Sequence, residues 1–526
     1  MIIKQLEKLL KQVINENIKI QVFYSENKNF GDYNTNIALK LAPLYHKDPL
    51  IIAKEIVDKI SNKNIFEKIE VVPPGFINFY LNLQFLQKNF YQIFQPQIFK
   101  KKNKIKISID YLDVNPTGPV HIGHGRSGFF GDVLSRLLKF YGYKISREFY
   151  VNNAKTSGQI RSLGKTVLGY GKEYKTKELL ELLKNKKVKA KIKQFKKLPP
   201  EQAEQEAGFY IAKIIHKKNK EFLSKKAKIN FDLFFEEQTI YNKNLIDDII
   251  NKLKKKKVVY LKNKAVWFAA SKFGDNEDRV LIRTNGMPTY FAADIVYHYN
   301  RLIVRKFKKI IDIFGADHFG YGPRIKGAMF AFNIKPQQID ILYAQTVNFK
   351  KSGKLFKMSK RKGIYIKLED LIDDIGLDAA RFFFLSNALD SHFDFDIDLA
   401  KQKALNNPVF YVQYAYVRAV NILKGANIIP NKKLLKYLTT DSDKNLMKKI
   451  LQFYEIIELT VNDYQLQRLT KYAIELSKEF HNFYEKERVK GEDEKLQQSR
   501  LLLVKGFITV MGFLFDILGI QKLKKM

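Results

Sequence analysis

The 526-residue chain contains no cysteine. That excludes disulfides, thiolate zinc sites, iron–sulfur clusters and a cysteine nucleophile. Tryptophan occurs once, while lysine, isoleucine, asparagine, phenylalanine and tyrosine abound, the usage of an A+T-rich genome. Acid is in deficit: 93 Lys and Arg face 54 Asp and Glu, a formal charge of +39. Such a surplus favours a polyanionic partner, nucleic acid first, with genome bias an equal source of it. Long apolar runs are lacking too. The longest uncharged one spans residues 506–515, and a bilayer span needs about 20 residues. Residues 2–20 are interrupted by Lys4, Glu7, Lys8 and Lys11, which argues against a secretory signal. A soluble, cytoplasmic protein with no membrane partner is expected.

With hydrophobic residues at 45%, the chain can bury a core, and its length suggests three or four domains. Residues 1–98 read as a small α+β unit, with helical spacing at the start and strand, Pro-Gly turn, strand at 69–81. From residue 104 to 345 the pattern is strand, Gly/Pro loop, helix, then more short apolar strands at 309–318 and 339–347. That alternation predicts a Rossmann-like, mostly parallel sheet. A Lys-rich stretch of about 155–280 reads as a helical insertion. Residues 346–400 form a connecting region, and 401–526 read as an all-helical bundle, with helical spacing at 405–423, 444–466, 470–486 and 499–518. The fold class is multidomain α/β plus α.

The strongest local signal is NPTGPVHIGHGRS at 115–127. Pro116, Gly118 and Pro119 stop a strand, and His121-Ile-Gly-His124 opens a helix. A helix start offers free N–H groups and partial positive charge, so it attracts phosphate. His121 and His124, three apart on one face, can donate to phosphate oxygens; Gly123 lets a nucleoside approach the backbone. A purely structural pair and a metal pair are the rival readings, the latter without an acidic third ligand nearby in sequence. The second signal is KLFKMSKRKG at 354–363. Lys357, Lys360, Arg361 and Lys362 surround Ser359 in a loop suited to neutralising a departing pyrophosphate, or to nothing more than solvation.

Together, HIGH after a first strand and KMSK about 230 residues later resemble the double signature of class I aminoacyl-tRNA synthetases. Further stretches are similar to the bacterial arginyl-tRNA synthetase family nearly from end to end: FGDYNTNIALKLA, PPGFINFYL, RTNGMPTYFAADIVYHYNR, GADHFGYGPRIKGAM, LDAARFFFLSNALDSHFDFDIDLA, NPVFYVQYAYVRA and the final LGI. The resemblance implies ATP-dependent activation of L-arginine to arginyl-adenylate and transfer to the 3′ adenosine of tRNA(Arg), with Mg²⁺ accompanying ATP and no structural metal. It implies catalytic roles for His121, His124, Lys357 and Lys360, and ATP contacts from Gly123, Gly315, Asp317, His318, Met358 and Ser359. It further implies a monomer, tRNA-dependent activation, and attack by the 2′-OH.

A guanidinium offers five donors in a planar fork, which calls for carboxylates and planar acceptors. Tyr290 and Asp294, four apart, share a helical face. The resemblance implies that these two hold the substrate side chain with help from Glu237, and that Asn115 holds the α-amino or carboxylate group. The local rival for Tyr290 and Asp294 is a buried helix start. Asp317 has its own rival role, capping the next helix. For RNA, the resemblance points to anticodon reading by the helical region, with Tyr411 and Tyr414 as stacking candidates, and to tRNA-elbow contact by the N-terminal unit, with Asn78 and Phe79.

Three features depart from the family pattern: Asn152-Asn153-Ala154-Lys155 with extra residues before Gly158, a basic KLKKM ending, and lysine enrichment at 188–197 and 252–257. The alternatives from other classes are an HxGH nucleotidyltransferase acting on a small acid, a non-catalytic RNA-binding paralogue, and a class I synthetase for another amino acid.

Overall fold

The computed structural model describes residues 2–25, 27–61, 63–95, 105–356, 366–426, 428 and 431–526. Lys357, Met358, Ser359 and Lys360 lie outside the described residues.

Five parallel strands form the central sheet. Its spatial order is Ile339–Ala344, Lys309–Gly315, Lys106–Asp110, Lys144–Val151, Leu233–Glu236. The first strand in sequence therefore lies in the middle, and the chain fills one side before crossing to the other. A crevice opens where the order reverses, beyond the carboxyl ends of the strands. Both faces of the sheet are covered, which is why its strands read as apolar runs rather than as alternating ones.

The helix Gly125–Tyr141 lies tight beneath the first strand because Gly131 carries no side chain. A Cβ there would come within 2.2 Å of the Tyr111 ring. At the strand's end Leu112 and Asp113 take positive φ, 79° and 34°. This is an uncommon conformation for such residues, and the Asp113 carboxylate there accepts from the Tyr150 amide at 2.9 Å.

The stretch read as a helical insertion divides into several parts. Helices Gly158–Leu168, Lys177–Lys184, Lys186–Phe195 and Pro200–Lys225 share a core of their own. The chain then returns to the central sheet as Leu233–Glu236, before an antiparallel sheet of Val259–Lys262, Ala265–Phe268 and Arg279–Ile282. That hairpin turns through Asn263 and Lys264, both with positive φ, the geometry of a two-residue type I′ turn. The lysine runs around it hid the alternation.

The N-terminal unit is a four-stranded antiparallel sheet with helices. Its strand Phe76–Leu81 is interior, paired on both sides. Phe79 stacks on Phe66 at 5.2 Å, and both Asn78 and Phe79 are buried. Both candidate tRNA contacts thus sit in the interior of this sheet, and the apolar alternation of FINFYL marks core positions. The unit docks on the helical region through the buried Glu455, which accepts from the Ile3 amide at 2.8 Å and the Tyr33 hydroxyl at 2.7 Å.

The C-terminal region is helical: Pro408–Leu423, Asp441–Leu451, Phe453–Asp463, Gln467–Lys486 and Glu494–Leu518. The single helix expected at 444–466 is broken at Gln452 into two. By length and composition Glu494–Leu518 would suffice to cross a membrane, but 72% of its apolar window is buried inside the protein. It is the core helix of the bundle, packed against Pro408–Leu423 and Gln467–Lys486.

Candidate active site

A cavity of about 1040 Å³ lies in the crevice at the carboxyl ends of the strands. It brings together Asn115, His121, Gly123, His124, Glu237, Tyr290, Asp294, Gly315, Asp317 and His318. These positions come from four separate stretches of sequence.

At one end is the HIGH turn. His121 precedes the short turn Ile122–His124, which runs into the helix Gly125–Tyr141. The His121 amide donates to His124 Nδ1 at 3.1 Å, and the two imidazoles stack with centroids 3.6 Å apart. The pair is therefore pre-formed on the cavity wall. Among the described residues no group of three or more His, Asp or Glu is arranged to hold a metal ion.

The turn is also tied to the far side of the KMSK segment. The Ile122 amide donates to the Ile366 carbonyl at 2.9 Å, and the Leu368 amide to the Val120 carbonyl at 3.0 Å. On the other side of that segment, Lys354–Phe356 pairs with Val347–Lys351, whose residues Val347, Asn348 and Phe349 line the cavity. The described residues that flank 357–365 thus meet the HIGH turn on one side and the cavity-lining strand on the other.

Gly315, Asp317 and His318 follow the strand Lys309–Gly315, and Gly315 leaves room for the Asp317 carboxylate. Asp317 is exposed and caps neither the turn Ala316–His318 nor the helix Tyr321–Phe330, so the capping role is not realised.

The opposite end of the cavity is acidic. Glu237 is 1% exposed and accepts from the Ala154 amide at 3.3 Å. Burial pushes its carboxyl up to about 7, with the nearby charge of Asp294 adding to the effect. Asp294, on the helix Tyr290–Tyr299, accepts from the Tyr321 hydroxyl at 2.6 Å, and burial raises its carboxyl as well. Among the described residues neither acid is in an ion pair. No Lys or Arg is among the described residues that line the cavity, an arrangement suited to a cationic ligand group. Tyr290 stands beside them, half in solvent, its hydroxyl meeting the Gly158 backbone.

Beneath this end runs a paired network. His298 places Nδ1 2.7 Å from the Asp294 carbonyl and Nε2 3.0 Å from Asp312. Buried Arg301 holds Asp312 and Ser108, and Arg305 clasps Glu148 at 2.8 and 2.7 Å. Burial alone would raise the Asp312 carboxyl, but Arg301 and His298 reverse that and hold it low. At the neighbouring Asp113 burial outweighs the Tyr150 amide and the Arg301 guanidinium, and lifts the carboxyl to about 7.

The altered segment after the second strand is part of the pocket. Asn152 lines it, Asn153 accepts from the Gln238 amide at 3.0 Å, and the Lys155 amide donates to Gln238 Oε1 at 2.7 Å. These bonds fix the loop that carries Glu237. Lining residues missed in the sequence include Asp110, Asp113, Gln159, His298 and Tyr321. The strand-end position of Asp110 and the helical spacing of His298 after Asp294 were the available signals.

Chain-wide similarity agrees with this arrangement. Residues 87–390 match the family model described as tRNA synthetases class I (R), catalytic domain. Residues 1–81 match the arginyl tRNA synthetase N terminal domain, and 412–526 the DALR anticodon binding domain. An arginine–tRNA ligase of Caldanaerobacter subterraneus is 36% identical, covering 96% of this chain and 94% of the relative. The chain belongs to the arginyl-tRNA synthetase family. The corresponding Aquifex aeolicus ligase is 34% identical over 99% of this chain and 98% of its own length. The fold of Thermus thermophilus arginyl-tRNA synthetase superposes with a TM-score of 0.77 at 18% identity, covering all of both chains.

The helical region of this arginyl-tRNA synthetase family member holds a cluster of aromatic and basic side chains. Tyr411 and Tyr414 are half-buried against His481, with ring centroids 5.1 and 5.9 Å away. Arg418 donates to the Tyr414 hydroxyl at 2.6 Å and lies over the Tyr484 ring. Tyr416, by contrast, is core, packed on Phe515.

Proposed function

We propose that this member of the arginyl-tRNA synthetase family ligates arginine to tRNA(Arg) in the cavity described, by two displacements. In the first, the L-arginine carboxylate attacks the α-phosphorus of ATP; the new C–O–P bond forms arginyl-adenylate as the bond to pyrophosphate breaks. In the second, a hydroxyl of the 3′-terminal adenosine attacks the adenylate carbonyl and AMP leaves. The observation that carries the reading is one cavity joining a stacked His pair at a helix start to two buried carboxylates that form no ion pair among the described residues.

Glu237 and Asp294 take the guanidinium, with Tyr290 against its side, and Asn115 takes the α-amino or carboxylate group. His121 and His124 contact the phosphates. Gly123, Gly315, Asp317 and His318 hold the nucleoside. Lys357 and Lys360, with Met358 and Ser359, close on the pyrophosphate side. Catalysis is positioning plus stabilisation of charge on the transferring phosphoryl oxygens. Mg²⁺ enters as the counter-ion of ATP, sharing the charge of its phosphates. Residues 1–98 and 401–526 serve tRNA, the latter through Tyr411 and Tyr414 stacking on unpaired bases. The working unit is a cytoplasmic monomer.

The test is pyrophosphate exchange into ATP with each of the twenty amino acids, with and without total tRNA. Exchange with arginine alone, and only with tRNA present, is expected. Exchange with another amino acid would overturn the side-chain pocket, and none at all, in a folded sample that binds tRNA, would favour a non-catalytic RNA binder.

A further inference from the structure

The guanidinium end of the cavity holds one more group with unused hydrogen-bonding capacity. Gln159 sits in the first turn of the helix Gly158–Leu168 and lines the cavity. Its Oε1 is buried, with no hydrogen-bond partner among the described residues. The residue before it, Gly158, meets the Tyr290 hydroxyl, and Ala154, earlier in the same segment, donates to Glu237. Gln159 is thus tied into the wall that carries both guanidinium-facing residues.

A buried carbonyl oxygen with no donor is costly unless a ligand supplies one. Acceptor arithmetic says which ligand. Asp294 has one oxygen committed to Tyr321 and Glu237 has one committed to Ala154. That leaves two carboxylate oxygens for a fork of five N–H groups. A planar amide oxygen adds a third acceptor to that complement.

We propose that Gln159 Oε1 is a third acceptor for the substrate's guanidinium and a determinant of selectivity for arginine. An ammonium of a lysine side chain carries three donors in a compact tetrahedral head and cannot reach three acceptors spread around a planar fork. The inference rests on the assignment of Glu237 and Asp294 to the guanidinium.

The experiment measures KM for arginine, ATP and tRNA in the charging reaction for Gln159→Met, Gln159→Glu and Asp294→Asn. Methionine keeps the length of the side chain and removes the acceptor; glutamate keeps an acceptor oxygen. Gln159→Met is expected to raise the arginine KM about tenfold, a lost hydrogen bond to a charged group, with the ATP KM within twofold of wild type. Gln159→Glu is expected to restore the arginine KM to within about threefold. Selectivity for arginine over lysine should fall in Gln159→Met in step with the arginine KM. An unchanged arginine KM in Gln159→Met, a parallel rise in the ATP KM, or a glutamate variant as impaired as the methionine one would overturn the assignment. If Asp294→Asn also leaves the arginine KM unchanged, the pocket reading itself fails; if it raises that KM while Gln159→Met does not, only the role of Gln159 does.

Discussion

The sharpest perturbation of the pocket is Asp294→Asn. The change is isosteric. The asparagine carbonyl can still accept from Tyr321, which holds this side chain at 2.6 Å, so the helix Tyr290–Tyr299 keeps its place. What is lost is the buried charge proposed to face the guanidinium. Removing one partner of a buried, hydrogen-bonded charge pair costs about 2–5 kcal/mol. Glu237 remains on the same end of the cavity and retains part of the attraction. A loss of about 3 kcal/mol follows, or roughly 150-fold in the arginine KM. The His121–His124 pair and the Gly315–His318 turn belong to other elements, so the ATP KM should move by less than threefold. Arginine-dependent pyrophosphate exchange at saturating tRNA measures both constants. An arginine KM within threefold of wild type, or an ATP KM that climbs with it, would refute the assignment of this acid to the substrate side chain.

Other consequences follow from the same structure. Glu237 lies near 7 because it is buried, so it is largely protonated below that pH and cannot pair with a cation; kcat/KM for arginine should rise about tenfold from pH 6 to pH 8 and level off, and Glu237→Gln should flatten the profile. Glu455, also raised by burial to about 7 from an ordinary 4.5, stabilises the docked N-terminal unit fully below 4.5 and loses that contribution as pH rises through 7. Hydrogen exchange in residues 2–13 should therefore be faster at pH 8 than at pH 6 after correction for intrinsic rates, and less pH-dependent in Glu455→Gln. A Cβ at Gly208 would lie 2.0 Å from the Ile160 carbonyl, so Gly208→Ala must push apart Gly158–Leu168 and Pro200–Lys225. Overpacking of this kind costs about 1–3 kcal/mol, to be seen as faster exchange confined to residues 158–225.

Much of this site was legible in the sequence because the chemistry sits at element boundaries. HIGH was readable as a helix start since Pro116, Gly118 and Pro119 end the strand before it, and the structure puts the turn Ile122–His124 there. Tyr290 and Asp294 were readable from a four-residue spacing, and they do share the cavity wall. Where the reading failed, burial had not been weighed. Phe79 and Asn78 alternate in a strand paired on both sides, and both side chains are buried. Asp113 and Gln159 were illegible for another reason. Their role comes from strands and a helix brought together over long sequence distances, and no local period marks a side chain that faces a cavity.

The HIGH helix is also gripped at a point that no motif reports. Asp132, midway along Gly125–Tyr141, accepts from Arg381 at 2.7 Å and from Arg136 at 2.8 Å. Arg381 is fully buried and donates as well to the carbonyls of Ala227 and Lys228, both at 3.0 Å, and of Leu518 at 3.4 Å. One guanidinium thus joins the catalytic helix, the return from the insertion and the last turn of Glu494–Leu518. Such a joint is specific because it is unforgiving: withdrawing one partner leaves buried charge and carbonyls unmatched. It also explains a local detail of the chain's end. Gly519 has φ of +71°, and a Cβ there would lie 2.7 Å from the Arg381 guanidinium. Glycine at that position both ends the helix in the left-handed conformation and lets the terminal carbonyl reach Arg381. The final Leu-Gly-Ile is therefore a packing requirement of the catalytic helix, imposed from the far end of the chain.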